Sequence, residues 1–151
     1  MSDRYFDDFE IGERFASPGI TLTESMILDY SLVYDPQPFH TDIVAAESSP
    51  FGGLIASGFQ TIALGFRAFL MLGLFRSCSL GSPGMDEVRW TRPVRPGDTL
   101  RAEMRVLEKK PSRSKPDRGT MVSQFRILNQ QGEDVAAFRC MHILARRPGR
   151  A

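Results

Sequence analysis

The sequence predicts an α+β fold in which a curved antiparallel sheet wraps around one long central helix. Two observations lead to this prediction. The segment from Leu54 to Phe75 is apolar on nearly every side of a helix, so other structure must cover it. From Met85 onward, four segments typical of β-strands alternate with turn signals. A sheet curled around one helix satisfies both requirements, although other α+β folds share this order of elements.

The composition is typical of one globular domain. With 151 residues, the chain is long enough for one hydrophobic core and too short for two. We therefore expect a single domain over residues 1–151, with its core from about residue 9 to residue 145. Hydrophobic residues make up 42% of the chain, charged residues 25%, and the net charge is +1. Nothing in these values calls for nucleic acid or a membrane as a partner.

The N-terminus and the cysteines predict a cytoplasmic protein. The first residues are acidic and lack the basic start and apolar run of a secretory signal. Cys78 and Cys140 are far apart, with neither a metal-ligand spacing nor a disulfide framework. We expect both thiols to act as small core residues in a reducing compartment.

An irregular strand and a capped helix are predicted in the first part of the chain. Residues 13–22 mix polar and apolar side chains around a Pro-Gly pair, which favours an irregular or edge strand. Thr23 is suited to cap a helix that ends near Tyr34. Pro36 and Pro38 then prevent the helix from continuing.

A loop rich in Ser, Pro and Gly over residues 48–53 leads into the central helix. The strands expected after that helix are Met85 to Val94, Thr99 to Lys109, Thr120 to Leu128 and Val135 to Leu144. Turns at residues 95–98 and 129–132 and a basic loop at residues 111–119 separate them. The C-terminal tail RRPGRA is expected to be frayed.

Asp35 and His40 are five positions apart, and Pro36 and Pro38 lie between them. Because proline fixes its own φ and restricts the preceding residue, the acid and the imidazole are held on a stiff turn. Such a pair can orient a water molecule, take one of its protons and return a proton to a substrate near neutral pH. The alternative is structural, with Asp35 capping the turn and His40 partly buried. For two such residues alone, the structural interpretation is favoured.

The glycine-rich segment over residues 52–58 opens the predicted central helix. A helix start offers unpaired backbone N–H groups and the positive end of the helix dipole. It can therefore hold an oxyanion, and Gly58 would let a ligand carbonyl approach its N–H closely. The alternative is that Gly58 only permits tight packing of the helix on the sheet.

Together these segments resemble the MaoC-like and R-specific enoyl-CoA hydratase family, which has the hot-dog fold. The matching residues are Asp35, Pro38, His40, Asp42, Gly53, Ala56 and Gly58. The stretch from Trp90 to Leu100 is also similar to the strand and turn that follow the helix in this family. The resemblance extends from about Phe9 to Leu144.

The resemblance implies reversible addition of water to the double bond of a trans-2-enoyl-CoA or a related acyl thioester. Asp35 and His40 would activate the water, and the Gly58 N–H would polarise the thioester carbonyl. The residues expected to bind substrate beside them are Ile55, Ala56 and Ser57. No metal and no cofactor are expected, coenzyme A being part of the substrate, and the expected assembly is a homodimer or a dimer of dimers.

Several alternatives stay open. Many hydratases of the family have His at the position of Ser57, so the acyl group is not determined. A hot-dog thioesterase and a non-catalytic acyl-thioester-binding subunit are the other functions considered, since a fold alone does not prove an activity. Asp42 is expected to cap the short helix after His40 rather than touch the substrate. Trp90 is expected to serve packing more than recognition.

The basic loop and the two residues before it carry five cationic side chains, those of Lys109, Lys110, Arg113, Lys115 and Arg118. We expect it to be a solvated hairpin end. The alternative is that it meets the phosphates of coenzyme A.

Overall fold

The fold was analysed in a computed structural model, which describes residues 3–149. The elements in chain order are a 3-10 helix Phe6–Asp8, β1 Arg14–Ala16, β2 Ile20–Thr21, α1 Glu24–Tyr34, α2 Pro38–Thr41, α3 Ile43–Glu47, α4 Gly58–Leu70, β3 Gly84–Trp90, β4 Thr99–Pro111, β5 Arg118–Leu128 and β6 Asp134–Ala145. The sheet has the order β1-β4-β5-β6-β3, and β2 also pairs with β4. These pairings are antiparallel. The predicted α+β class with a largely antiparallel sheet is confirmed.

The core lies between α4 and the inner face of the long strands. Alternate residues of β4, β5 and β6 are buried, as expected for a sheet with one covered face. Phe125 of β5 stacks on Phe138 at 5.0 Å between ring centroids and meets Phe69 of α4 edge-on at 5.0 Å. At Gly65 an added Cβ would be 2.3 Å from the Ile127 side chain, so the helix lies directly on the sheet.

The central helix is shorter and more exposed than the sequence predicts. It begins at Gly58 and ends at Leu70, whereas the apolar pattern predicts a helix from Leu54 to Phe75. The residues just before it are not helical, and the N–H of Ile55 donates to a distant carbonyl, that of Phe39. The prediction that the helix is covered on nearly all sides is also wrong for this chain, since Phe59 is 65% exposed.

The predictions for the first part of the chain are confirmed. The irregular strand is divided into β1 and β2, and β1 forms one edge of the sheet. The Thr23 hydroxyl accepts the N–H of Met26 at 3.2 Å, and α1 ends at Tyr34. Asp42 caps α3 by accepting the N–H of Ala45 at 3.0 Å.

The predicted frayed tail is wrong for its first two residues. Arg146 forms an ion pair with Asp7 at 2.9 Å, and Arg147 forms one with Asp8 at 2.6 Å. These pairs hold the start of the tail against the 3-10 helix near the N-terminus. Residues 150 and 151 lie outside the described part of the chain.

Both cysteines are core residues, as predicted. Cys78 and Cys140 are buried free thiols, and burial raises the pKa of Cys78 to about 11. Neither thiol therefore has the character of a reactive thiolate at neutral pH. Within residues 3–149, no helix is both long enough and apolar enough to span a membrane.

Candidate active site

Asp35 and His40 are brought together by the turn between α1 and α2. Asp35 is the C-cap residue that follows α1, and Pro38 opens α2, where a missing N–H is tolerated. His40 is buried inside this one-turn helix, and its Nε2 lies 3.5 Å from Oδ2 of Asp35. The predicted juxtaposition of the acid and the imidazole is therefore present in the structure.

The hydrogen bond of His40 to the backbone assigns its tautomer. Its Nδ1 is 2.8 Å from the carbonyl oxygen of Ile55. A carbonyl oxygen can only accept a hydrogen bond, so Nδ1 carries the proton. In the neutral ring this leaves a lone pair on Nε2, the atom that faces Asp35.

Two side chains donate hydrogen bonds to the carboxylate of Asp35. The Ser57 hydroxyl donates to Oδ2 at 2.6 Å, and Nε2 of Gln37 donates to Oδ1 at 2.8 Å. The Ser57 hydrogen bond is the main cause of a lowered pKa at Asp35, and the bond from Gln37 and the nearby His40 act in the same direction. The carboxyl group is therefore ionised at neutral pH.

The carboxylate oxygen and the imidazole lone pair form a site for a donor of two hydrogen bonds. Their separation of 3.5 Å is too long for a direct N···O hydrogen bond, and in this tautomer both atoms are acceptors. A water molecule has two O–H donors and can satisfy both acceptors at once. Such a water would be oriented by Asp35 and could lose a proton to His40.

The start of α4 opens onto the same pocket. Asp35, His40 and Gly58 all line a cavity of about 450 Å³. Ser57 precedes the helix, but its side chain does not cap the first turn, because its hydroxyl donates to Asp35. The first N–H groups of an uncapped helix are free to bind an anion. An oxygen that gains negative charge can therefore be stabilised here.

Trp90 explains why residue 58 is a glycine. A Cβ at Gly58 would lie 2.6 Å from the Trp90 indole, and the indole Nε1–H donates to the Gly58 carbonyl at 2.8 Å. The side of Gly58 that lacks a Cβ is thus occupied by a strand residue and not left for a ligand. The packing alternative accounts for the missing Cβ, and the role of the Gly58 N–H stays a prediction. Trp90 packs as predicted and also lines the pocket.

Of the three residues predicted to bind substrate, two line the pocket and the third is buried behind it. Ile55 and Ala56 line the pocket, held in place by backbone hydrogen bonds to Phe39 and Val94. Ser57 is fully buried, and its hydroxyl reaches Asp35. Its observed contact is therefore with the carboxylate, and direct contact with a substrate stays a prediction.

The outer wall of the pocket was not predicted from the sequence. Phe59 and Trp90 meet edge-on at 5.9 Å between ring centroids, and both are largely exposed. Arg92 follows on the same wall. Trp90 and Arg92 both lie in the stretch that resembles the family, but the resemblance did not indicate that they border the pocket.

The described residues offer this pocket no metal site. In residues 3–149 no group of three or more His, Cys, Asp or Glu side chains is placed to hold a metal ion. A larger groove of about 600 Å³ lies on the outer face of the sheet, with Arg14, Arg105 and Arg139 in its lining. It contains no acid-imidazole pair, so the smaller pocket is the candidate active site.

A known protein family matches most of this chain. Residues 8–124 match the family described as MaoC like domain. The chain belongs to the MaoC-like domain family. A crystal structure of a MaoC-like dehydratase from Rhodospirillum rubrum superposes with a TM-score of 0.88 and 38% sequence identity, over 96% of this chain and 99% of that one. The hot-dog fold predicted for this MaoC-like chain is confirmed by such neighbours.

Two further relatives of this MaoC-like chain have names that state an activity. The unliganded R-hydratase PhaJ1 from Pseudomonas aeruginosa has a TM-score of 0.75 and 27% identity, over 93% of this chain and 84% of that one. Mesaconyl-CoA hydratase from Cereibacter sphaeroides is 47% identical over 55 residues, which is 36% of this chain and 16% of the relative. The match to the second protein thus concerns a short part of a much longer chain.

Proposed function

We propose that this protein is a hydratase that adds water reversibly to the double bond of a trans-2-enoyl-CoA or a related acyl thioester. One observation carries the proposal. The Asp35 carboxylate and the Nε2 lone pair of His40 lie 3.5 Å apart and line the same pocket as Gly58, the first residue of α4. Water activation and carbonyl polarisation are the two functions that hydration of an enoyl thioester requires.

In the proposed reaction each of these groups has a role. Asp35 accepts one hydrogen bond from the water, and Nε2 of His40 accepts its other proton as the oxygen bonds to the β-carbon. The electron pair of the double bond moves toward the thioester, where the Gly58 N–H stabilises the enolate oxygen. Such a donor contributes roughly 3 to 4 kcal/mol to catalysis. The proton on His40 then returns to the α-carbon, which completes the 3-hydroxyacyl thioester.

The relatives support the reaction class and leave the acyl group open. An R-hydratase and a mesaconyl-CoA hydratase are among them. The fully buried Ser57, which occupies a position where many family members have His, belongs to the acid's hydrogen-bond network. A substrate profile across acyl chain lengths, with branched and dicarboxylic esters included, determines the acyl group.

Substitution of the acid-base pair tests this proposal. We expect Asp35→Asn and His40→Ala each to lower kcat/KM by at least about a hundredfold, since general acid-base groups typically contribute that much. The measurement is the loss of conjugated thioester absorbance with short and medium trans-2-enoyl-CoA esters. Asp29→Asn is the matched control, because Asp29 is an exposed carboxylate on α1 and should retain normal rates.

The same assay distinguishes the alternative functions. Absorbance loss without release of free thiol supports hydration, whereas thiol release would indicate a thioesterase. If neither enoyl nor 3-hydroxyacyl esters turn over, a binding subunit becomes the better interpretation. Near-normal rates in either variant would overturn the assignment of Asp35 and His40. A loss of activity supports it only if circular dichroism shows that the variant is folded.

We also propose that the protein forms a homodimer or a dimer of dimers. The exposed side of α4 carries large apolar side chains, Phe59, Leu70 and Met71. The edge strand β3 adds the half-exposed Met85 and Trp90. Apolar patches and open sheet edges of this kind are usually covered by a partner. Sedimentation equilibrium measures the mass, and a monomer at micromolar concentration would contradict the proposal.

The proposed location is the cytoplasm, supported by two buried free thiols. Fractionation of cells that produce the protein tests it.

A further inference from the structure

The phosphates of coenzyme A need a binding place at the mouth of the pocket. We propose that Arg92 and Arg95 form a phosphate subsite there, which rests on the proposed function because it concerns the same substrate. Coenzyme A carries its phosphate groups at the end of the pantetheine arm, away from the thioester. Cationic side chains that recognise them must therefore border the pocket without reaching the reacting carbons.

Arg92 has this position. It lines the pocket together with Asp35, His40 and Gly58. It follows Trp90 by two residues, or roughly 7 Å of extended chain. Its guanidinium is half-exposed, with Nη1 3.2 Å from the Asp134 carbonyl and Nε 3.5 Å from the Glu133 carboxylate. These contacts use Nη1 and Nε, and about half of the side-chain surface remains exposed.

Arg95 supplies a second guanidinium on the same rim. Its Nη2 donates to the carbonyl of Phe51, a lining residue of the pocket. Its Nη1 lies 3.4 Å from the place where a Cβ of Gly53 would be. Within residues 3–149 no carboxylate lies within ion-pair distance of the Arg95 guanidinium, and the group that it contacts is a neutral carbonyl. A planar guanidinium fork fits phosphate oxygens well.

The basic loop, which the sequence suggested as an alternative binding place for the coenzyme A phosphates, lies at the other end of the sheet. Trp90, next to the pocket, pairs with Ala136, which pairs with Ile127 of β5. The basic loop begins where Gly119 pairs with Pro111, eight residues from Ile127 along β5, or roughly 26 Å. Within one chain, the phosphates of a substrate bound in this pocket are therefore closer to Arg92 and Arg95 than to the basic loop.

Two charges in the loop region are also engaged elsewhere. Arg118 forms an ion pair with Asp117 at 2.9 Å. Lys109 donates to the carbonyl of Phe9 and lies over the Phe6 ring at 4.7 Å. Since Arg92 also has a carboxylate neighbour, Glu133, it is mainly the distance from the pocket that favours the solvated hairpin end for the loop.

A pair of substrates isolates the phosphate contact. Arg92→Gln should raise KM for an enoyl-CoA ester by roughly three- to tenfold, with kcat unchanged. KM for the matching enoyl-pantetheine ester, which lacks the phosphates, should not change. In the double variant Arg92→Gln/Arg95→Gln, KM for the CoA ester should rise further, while KM for the pantetheine ester should again not change. Arg89→Gln is the matched control, because Arg89 is an exposed arginine that donates to the carbonyl of its neighbour Val88.

Direct binding separates failure of this subsite from failure of the proposed function. Titration calorimetry with free coenzyme A and with pantetheine needs no turnover. Weaker binding of coenzyme A to Arg92→Gln, with pantetheine unchanged, supports the subsite even if no ester is hydrated. Equal changes for both ligands, or an Arg89→Gln variant that behaves like Arg92→Gln, would overturn it.

Discussion

At the scale of single residues, the state of the acid depends on Ser57. Its hydroxyl is fully buried and has a carboxylate oxygen of Asp35 as its acceptor, 2.6 Å away. Hydrogen bonds to charged groups are worth about 1.5 to 3 kcal/mol. Because this bond favours the ionised form, Ser57 both positions the carboxylate and lowers its pKa.

We predict that Ser57→Ala lowers kcat/KM by at least about tenfold, since about 1.4 kcal/mol corresponds to that factor. Loss of the hydrogen bond removes the main cause of the lowered Asp35 pKa. The pKa should therefore rise, and the acidic limb of the kcat/KM profile should move to higher pH. Kinetics between pH 4 and pH 8 measure the shift.

The control for this variant is Ser123→Ala, which removes a buried hydroxyl without a hydrogen-bond partner. It should leave the pH profile unchanged. A Ser57→Ala profile identical in shape to that of the wild type would show that the hydroxyl serves stability alone.

Of the two contacts of Asp35, the sequence could predict the one with His40 but not the one with Ser57. Asp35 and His40 are five positions apart and separated by prolines, so local stiffness indicates their proximity. The Ser57 bond to Asp35 spans 22 positions and depends on how α1 and α4 meet. No local pattern encodes that distance, and a resemblance to relatives with His at this position gave no signal for it.

At the scale of elements, the start of α4 is set by contacts that are distant in sequence. Ile55 and Ala56 are as compatible with a helix as the residues after them, so the apolar run predicts a helix from Leu54. Their backbone N–H groups instead donate to the carbonyls of Phe39 and Val94. Such partners cannot be predicted from periodicity, whereas Thr23 caps α1 locally and was correctly predicted.

We predict that Gly58→Ala impairs both folding and activity. The added Cβ would meet the Trp90 indole at 2.6 Å, which must move the indole or the helix start. Overpacking of this kind typically costs about 1 to 3 kcal/mol. The displaced N–H groups should also lower kcat. Urea unfolding and steady-state kinetics measure the two effects.

Substitution of a second glycine on α4, Gly65, separates the effect on folding from the effect on activity. Gly65→Ala would place a Cβ 2.3 Å from the Ile127 side chain, in the core and away from the pocket lining. It should destabilise the fold to a similar extent while the folded protein keeps its kcat. If Gly58→Ala retained full kcat, the start of α4 would not be part of the catalytic machinery.

At the scale of the whole molecule, the buried imidazole of His142 makes the stability of the core depend on pH. His142 of β6 is buried against Phe75 at 4.8 Å and Phe125 at 5.9 Å between ring centroids. Within the described residues its Nε2 has no hydrogen-bond partner. Burial lowers the pKa of His142 from 6.5 to about 4, because the charged ring loses its hydration.

The sign of the effect on stability follows from the two pKa values. Above about pH 6.5 the ring is neutral in both the folded and the unfolded protein, so stability is fully present. Between about pH 6.5 and pH 4 the unfolded chain binds a proton that the folded protein does not, and stability falls. Below pH 4 both states are protonated and the loss is complete, at roughly 3 kcal/mol.

We therefore predict that the free energy of unfolding of the wild type falls between pH 7 and pH 4 more steeply than that of His142→Leu. Leucine has no titratable group, so it removes this contribution and keeps the site apolar. The carboxylates are the same in both proteins, so the difference between the two curves isolates His142. Urea unfolding at half-unit pH steps gives both curves. Parallel curves would mean that the ring is hydrated or paired in the folded protein, and the core would then be less tightly closed around Phe75 and Phe125 than the packing indicates.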